Sequence, residues 1–272
     1  MAVTSNARLT ADRAAHSGPL EAATRAGFIG YGIVHLLFAW LAVQIAFGKP
    51  AQQGDQSGAM QELAGKPWGK TLLALISIGL VAMAVWQAFE AAIGHREDRG
   101  GERVAERLAS AGRTLVYLYL AWTGYKVIKS GASSADQQQQ TSTELMTSDG
   151  GRWLVAIAGI GLAVLGLGLI WYGYSKRFEK HLRMSAMAPR TRRIAERLGV
   201  AGYVAKGIAY GIAGVLLVVA AVNYDPEKAR GLDAALRTLA DQPYGTVLLV
   251  AVALGIAAFS VFCLVQAKFR KV

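Results

Sequence analysis

The chain has 272 residues, of which 53% are hydrophobic and only 17% are charged, and its formal net charge is +11. Soluble domains carry about 25% charged residues, so this composition excludes an ordinary soluble globular protein. The four histidines lie far apart and Cys263 is the single cysteine, so the sequence predicts no metal site, no cofactor and no intrachain disulfide.

Apolar runs free of charge follow one another along the chain, after a polar tail at residues 1–19. A helix of roughly 20 apolar residues crosses a hydrocarbon core about 30 Å thick. A sixth run, at residues 109–128, contains Arg113 and Lys126 near its two ends, where long basic side chains can reach the interface. We therefore predict an all-α integral membrane protein with six transmembrane helices. The five uninterrupted runs are 26–48, 71–89, 153–175, 207–224 and 242–267.

The same phrases recur at a spacing of about 88 residues. "LAGKPWG" at 63–69 returns as "LADQPYG" at 239–245, and "GGRWLV" at 150–155 lies midway between them. "RVAERLASAG" at 103–112 returns as "RIAERLGVAG" at 193–202, and "LEAATRAG" at 20–27 is the first copy. A glutamate stands six residues before the glycine in each copy, as Glu21, Glu106 and Glu196. The chain therefore contains three repeats, at 20–96, 105–178 and 195–271.

Each repeat predicts the same order of elements: a short charged amphipathic helix, a transmembrane helix, an outer loop and a second transmembrane helix. Pro67 and Pro243 suit the first turn of that second helix. In the third repeat, "LDAALRTLA" at 232–240 has the apolar spacing of a helix lying on the membrane, and "AMQELAG" at 59–65 is its shorter counterpart. The middle repeat lacks this helix and carries a flexible polar tract instead.

Basic residues predict the orientation of the repeats. Of the 29 Lys and Arg, 19 lie on the side of the two termini and nine on the other side, and Lys206 lies within a helix. The positive-inside rule then places both termini in the cytoplasm. Two helices per repeat give all three repeats one orientation, and parallel repeats are related by an axis along the membrane normal. We expect a pseudo-threefold bundle.

The motifs "RAGFIGYGIVH", "DQSGAMQELAGKPWGKTLL", "VAGYVAKGIAYGIAGVLL" and "GLDAALRTLADQPYGTVLL" carry a family resemblance. The chain resembles, over residues 20–271, the bacterial membrane proteins catalogued as the domain of unknown function numbered 1206. The middle repeat departs from that pattern because it lacks the proline and the loop helix. The resemblance implies a six-helix inner-membrane protein, and it implies no activity and no functional residues.

Ionisable and phenolic side chains inside the predicted bundle are the first candidate site. His35 lies near the membrane midplane, where a titratable residue is a functional candidate by default, although a neutral imidazole bonded to a neighbouring helix is the alternative. Lys206 either faces this site or extends to the interface. Glu90 either reaches headgroup water or is the acidic partner of Lys206, Arg113 or His35. The candidate intramembrane polar site comprises Tyr31, His35, Glu90, Arg113, Lys206 and Tyr210.

A basic segment beside the membrane is the second candidate site. Clusters of four to eight juxtamembrane cations attract anionic lipid headgroups, although plain topology determination is an alternative reading. Nucleic acid is a weaker partner for a segment in this position. The candidate contacts with anionic lipid are Lys176, Arg177, Lys180, Arg183, Arg190, Arg192 and Arg193.

Two functions fit these features. The first is a non-enzymatic membrane scaffold that binds lipid or a protein partner. The second is a small-solute or ion permease that uses the pseudo-threefold axis. An enzyme is disfavoured because no paired catalytic groups share one depth and the soluble segments are too short for a catalytic domain.

Overall fold

A computed structural model of the protein describes residues 18–49, 54–94, 100–130, 140–145, 150–223, 225, 229 and 231–271. Most of the predicted N-terminal tail, residues 1–17, therefore lies outside the described residues. Within the described ranges the backbone forms helices and no strand. The helices of nine residues or more are α1 (Gly18–Ala46), α2 (Gln56–Ala64), α3 (Gly69–Ile93), α4 (Gly100–Ser130), α5 (Gly151–Tyr174), α6 (Pro189–Asn223), α7 (Leu232–Ala240) and α8 (Gly245–Phe269).

Five of these helices, α1, α3, α5, α6 and α8, are long and apolar enough to cross a membrane. The protein is accordingly a multi-pass membrane protein. Helix α4 has 31 residues and the necessary length, but its seven charged residues lower its hydropathy and leave only residues 114–125 free of charge in its second half. The structure therefore supports five spans by length and composition, and not the six that the sequence predicted.

Three helices are longer than predicted. The charged amphipathic segment and the apolar segment that begin each repeat form one continuous helix, in α1, α4 and α6. These helices project beyond the apolar zone at one end of the bundle, which also carries residues 176–188 and the end of α8. We call this end the basic end. The opposite end carries α2, α7 and the short helical segment at 140–145, and we call it the loop end.

The long helices pack in a definite order. Helix α5 packs on α6, α6 on α8, α8 on α1, α1 on α3, and α3 on α4. The two helices at the ends of this series, α4 and α5, do not pack against each other as the other neighbours do. Both belong to the middle repeat, so the bundle has a gap within that repeat.

Glycines allow the closest helix crossings. A Cβ on Gly166 of α5 would meet backbone atoms of Gly207 and Gly211 of α6 at 2.6 Å. A Cβ on Gly27 of α1 would likewise collide with the Gly79 carbonyl oxygen of α3. Small residues permit such backbone approach inside a membrane, where packing rather than the hydrophobic effect holds helices together.

The two loop helices cover the bundle and pack their apolar faces against it. Met60 of α2 and Leu236 of α7 are buried, and the apolar faces of both helices pack inward against the long helices. Asp233 of α7 accepts a hydrogen bond from Gly54 N, at 2.7 Å, and so joins the two repeats at the loop end. The prediction that α7 lies on the membrane surface was therefore wrong. The prediction that α2 is shorter than α7 was also wrong, since both helices have nine residues.

The repeated Pro-aromatic-Gly phrase forms a turn before each helix and not its first turn. Trp68 and Tyr244 both have left-handed backbone angles, with φ of 61° and 62°, and their rings are 86% and 84% exposed. Helices α3 and α8 begin at the following glycines, Gly69 and Gly245, where a Cβ would collide with carbonyl oxygens of the preceding loop helix. Proline and glycine thus serve a tight turn that places an exposed aromatic ring at the loop end.

Candidate functional site

Lys206 of α6 lies inside the bundle, with only 7% of its surface exposed. Its Nζ donates a hydrogen bond to the Tyr31 hydroxyl of α1 at 3.0 Å and lies 4.0 Å from the centroid of the Phe259 ring of α8. The rings of Tyr31 and Tyr210 stand 5.3 and 5.8 Å from the same nitrogen. Aromatic faces attract an ammonium group, so the enclosure can hold this cation away from water.

His35 stands one turn from Tyr31 and is completely buried. Its Nδ1 donates to the Tyr31 backbone carbonyl at 2.8 Å, and its ring packs against the rings of Tyr31 and Phe259. The Nε2 atom has no hydrogen-bond partner within the described chain. His35 is therefore held by its own helix, and not by a neighbouring helix as the alternative reading proposed.

Four of the six residues of the predicted polar site come together: Tyr31, His35, Lys206 and Tyr210. We call these four, with Tyr117 and Phe259, the central cluster. Tyr117 belongs to it because its ring meets that of Tyr31 at 5.5 Å. At the corresponding positions of the middle repeat stand Val116 and Leu120, so the four predicted polar residues come from the first and third repeats.

Glu90 and Arg113 do not join the central cluster. Glu90 lies three residues before the end of α3 at the basic end, whereas Lys206 and His35 both bond to Tyr31 within the bundle. Arg113 instead pairs with Glu106, at 3.8 Å, on its own helix. The predicted pairing of Glu90 with Lys206 was therefore wrong, because Glu90 lies too near the end of its helix.

Residues 176–188, which we call the clasp, fold across the basic end. Phe178 and Leu182 of the clasp are buried, and Phe178 packs against Tyr203 and Phe262. Backbone bonds fasten it to the C-terminus: Arg183 N donates to Phe269 O at 2.8 Å, and Lys271 N donates to His181 O at 3.0 Å. The clasp is thus part of the core rather than a solvated basic loop.

The three repeat-equivalent glutamates all bind the clasp. Glu21 lies 3.5 Å from Arg183, and Glu196 lies 3.3 Å from Lys176. Glu106 is the most buried of the three, at 8% exposure, and it pairs with Lys180 at 2.5 Å and with His181 at 3.5 Å. Three copies of one repeat position therefore hold one segment of the chain.

The protonation states of Glu106 and His181 follow from this geometry. Hydrogen bonds from His181 and Lys180 hold the pKa of Glu106 well below its usual range, despite its burial. Burial lowers the pKa of His181 to about 4, and the bond to Glu106 opposes this only in part. The Tyr172 hydroxyl lies 3.2 Å from His181 Nδ1, so a neutral imidazole can accept there, while its Nε2 stands 3.5 Å from the Glu106 carboxylate.

The seven candidate lipid contacts divide into two groups. Lys176, Lys180, Arg183 and Arg192 form ion pairs with Glu21, Glu102, Glu106 or Glu196, so their charges are largely matched within the protein. The other three, Arg177, Arg190 and Arg193, are exposed at the basic end and form no ion pair with a described residue.

A cavity of about 670 Å³ occupies the gap between α4 and α5, and we call it the side cavity. Its walls are apolar side chains of the long helices, including Leu154, Leu162 and Leu165 of α5. Tyr119 of α4 and Leu154 also line it while they are 54% and 59% exposed, so the cavity opens sideways between the two helices. Ligand sites in proteins commonly have volumes of about 300–1,000 Å³.

The loop end of the side cavity is polar. Asp55, Gln56 and Ser57, at the start of α2, line it together with Thr141 and Ser142 of the segment at 140–145. Tyr210 forms part of the wall and accepts a hydrogen bond from Gln56 Nε2 at 3.4 Å, which links the side cavity to the central cluster. The site as a whole is amphipathic.

Sequence reasoning missed the side cavity, the clasp and the role of Glu106. The repeated glutamate was a usable signal for Glu106, because a charged residue kept at one position of three repeats requires a partner. The divergence of the middle loop was the corresponding signal for the gap. Within the described chain no three His, Cys, Asp or Glu side chains lie close enough together to hold a metal ion.

Comparison with known proteins is consistent with the repeat structure. The family model described as Domain of Unknown Function (DUF1206) matches the chain three times, at residues 26–94, 108–176 and 201–270. An uncharacterized protein of Bacillus subtilis (strain 168), YxxB, is 29% identical over 249 residues, which is 90% of this chain and 90% of that protein. No solved structure matches the chain.

Proposed function

The chain belongs to the family described as Domain of Unknown Function (DUF1206), and from that premise we propose that it is a non-enzymatic membrane protein that binds bilayer lipid in the side cavity. The observation that carries the proposal is the sideways opening of an apolar cavity between two long helices. A cavity that opens toward hydrocarbon meets acyl chains at very high local concentration and excludes water.

The dimensions of the side cavity support this proposal. Its α5 wall extends from Leu154 to Leu165, three turns of helix or about 16 Å. One leaflet contributes about half of a hydrocarbon core of about 30 Å. The cavity therefore has the length of an acyl chain in the leaflet at the loop end.

The alternative function, a small-solute or ion permease along the bundle axis, has less support. Its best evidence is the central cluster, which has a buried lysine and a histidine whose Nε2 has no hydrogen-bond partner among the described residues. Rings of Tyr31, Tyr117 and Phe259 pack around these groups, which leaves them in aromatic contact rather than beside a polar path. A site for lipid needs no such path.

We propose further that α4 is a sixth span and that the three repeats have a pseudo-threefold arrangement in a bacterial inner membrane, with both termini cytoplasmic. The packing of α4 along α3 supports the sixth span, and the helix order supports the arrangement, because α3–α4, α5–α6 and α8–α1 are equivalent contacts between successive repeats.

A single cysteine at Arg177 or Lys66, in a Cys263→Ala background, tests the orientation. An impermeant thiol reagent should label intact cells at Lys66→Cys and not at Arg177→Cys; the reverse would refute it.

Anionic lipid at the basic end is the second proposed contact of the protein. Arg177, Arg190 and Arg193 support it because they are exposed and bind no described acidic residue. Juxtamembrane cations contribute roughly 1 kcal/mol each to such binding. No nucleic acid is part of the proposal.

Cavity-filling variants test the main proposal. Ala158 lines the side cavity, whereas Ile160 lies on the same helix, is exposed and is absent from the lining. Native mass spectrometry should detect lipid retained by the wild type and by Ile160→Trp but lost from Ala158→Trp. Equal retention by both tryptophan variants would refute lipid binding in the side cavity.

A further inference from the structure

We infer that the side cavity selects its lipid by the length of one acyl chain, with a preference for chains of about 12 to 14 carbons, an inference that rests on the proposed function. The chain would lie along α5 with its methyl end beside Leu165. Three features support this selection: the end of the apolar wall, the aromatic packing beyond it and the fixed position of the headgroup.

The apolar wall of the side cavity on α5 has a defined length. Leu154, Ala158, Leu162 and Leu165 follow one another at helical spacing, so they form one face of α5. From Leu154 to Leu165 this face is about 16 Å long. A carbon–carbon bond of about 1.5 Å advances an extended chain by about 1.3 Å, so roughly 13 carbons extend along the whole wall.

Beyond Leu165, toward the basic end, α5 packs closely on its neighbours. A Cβ on Gly166 would meet backbone atoms of α6 at 2.6 Å. Two turns further on, the Tyr172 ring packs against the rings of Tyr203 and Phe178, with centroids 4.9 and 6.4 Å apart. A close-packed interior has no room for a hydrocarbon chain, so the chain ends near Leu165.

The headgroup fixes the other end of the chain. A polar headgroup of any charge stays at the membrane–water interface, because hydrocarbon offers it no hydrogen-bonding partner. The polar lining residues Gln56 and Ser142 lie at this end of the side cavity. A chain that is too short leaves a void beside Leu165, and a void in a packed interior costs free energy. A chain that is too long must bend out through the sideways opening, and its last carbons lose their contacts with the wall.

A competition between lipids that differ only in chain length tests this inference. Purified full-length protein in detergent would receive equal amounts of phosphatidylethanolamines with two identical saturated chains of about 10 to 18 carbons, and native mass spectrometry would report the bound fraction of each. Because the headgroup is the same throughout, its contacts at the loop end do not affect the comparison. Wild type should retain chains of about 12 to 14 carbons at least about threefold more than chains of about 18 carbons.

Tryptophan substitutions along the wall move its end. Leu162→Trp and Leu165→Trp place the same ring at two depths about 4.5 Å apart. The preferred chain should therefore be shorter in Leu165→Trp than in the wild type, and shorter again by about three carbons in Leu162→Trp. Leu167→Trp is the matched control, because Leu167 lies on the same helix, is exposed and is absent from the lining. Its preferred chain should be that of the wild type.

A flat wild-type profile, or the same preferred chain in Leu162→Trp, Leu165→Trp and Leu167→Trp, would overturn the inference. The proposed function fails separately: Ala158→Trp would then retain lipid as fully as Ile160→Trp does. If Leu162→Trp does not fold, the comparison of Leu165→Trp with Leu167→Trp decides.

Discussion

The middle repeat differs from its two neighbours in how its helices meet. In the first and third repeats the two long helices pack together, α1 on α3 and α6 on α8, beneath a nine-residue loop helix. In the middle repeat α4 packs on α3 and α5 packs on α6, and the side cavity separates them. One repeat of three can therefore lose its internal contact while both its outer contacts remain.

The comparison also shows where the middle repeat is still held. At the basic end, Glu106 of α4 binds Lys180 and His181 of the clasp, which follows α5 directly. At the loop end the polar tract that replaces a loop helix supplies only residues 140–145 to the described structure. The two helices are thus tied at one end and separated at the other, an arrangement that creates a sideways opening.

The largest expected effect comes from breaking the contact between Glu106 and the clasp. Glu106→Ala removes the buried carboxylate that binds Lys180 and faces His181, and the loss of a hydrogen bond to a charged group costs about 1.5–3 kcal/mol. Thermal unfolding in detergent measures the loss. Glu196→Ala removes the equivalent pair at an exposed site and should cost at most about 1 kcal/mol. Equal losses would mean that Glu106 is an ordinary surface residue.

The second prediction concerns the packing of α5 on α6. Gly166→Ala places a Cβ within 3 Å of the α6 backbone, and such overpacking costs about 1–3 kcal/mol. Gly168→Ala is the matched control on the exposed side of α5, because a Cβ there meets nothing within 4 Å. The temperature of unfolding should fall in Gly166→Ala and not in Gly168→Ala. A shift of the same size in Gly168→Ala would contradict close α5–α6 packing.

The third prediction is that the stability of the folded protein depends on pH through His181. The unfolded state takes up a proton at His181 below a pKa of about 6.5, whereas the folded state does so only near pH 4, so stability should fall as the pH decreases between these values. Glu106, Lys180, Arg113, Arg270 and Tyr172 surround this histidine. Between about pH 7.5 and 5 the expected loss is roughly 1–2 kcal/mol. Unfolding of His181→Gln should depend less on pH; an unchanged slope would assign the effect elsewhere.

The smallest effect is expected from the exposed cations of the basic end. Neutralising Arg177, Arg190 or Arg193 singly should weaken association with anionic vesicles by roughly 1 kcal/mol, and less when salt is added. Arg192→Gln provides the comparison, because its charge is already matched by Glu196 at 3.1 Å. Vesicle flotation at two salt concentrations measures both. Equal losses for the paired and the unpaired arginines would leave this face as a topology signal only.

The sequence predicted the repeats and most of the spans because apolar length and repeated phrases are local properties. It also predicted that Tyr31 and Lys206 would share a direction, and their side chains do touch, because equivalent positions of related helices point the same way. The sequence did not predict the clasp, because a basic segment has the same composition whether it is solvated or folded onto glutamates. The side cavity depends on a contact between α4 and α5 that is missing, and the divergent loop of the middle repeat marks its place without showing its shape.

The most direct test of the account is an experimental structure in a lipid nanodisc, examined in the gap between α4 and α5. The account predicts continuous elongated density along the wall from Leu154 to Leu165, ending at Gln56 and Ser142, with Tyr119 apart from Leu162. Direct packing of Tyr119 against Leu162, with no density between the helices, would contradict it.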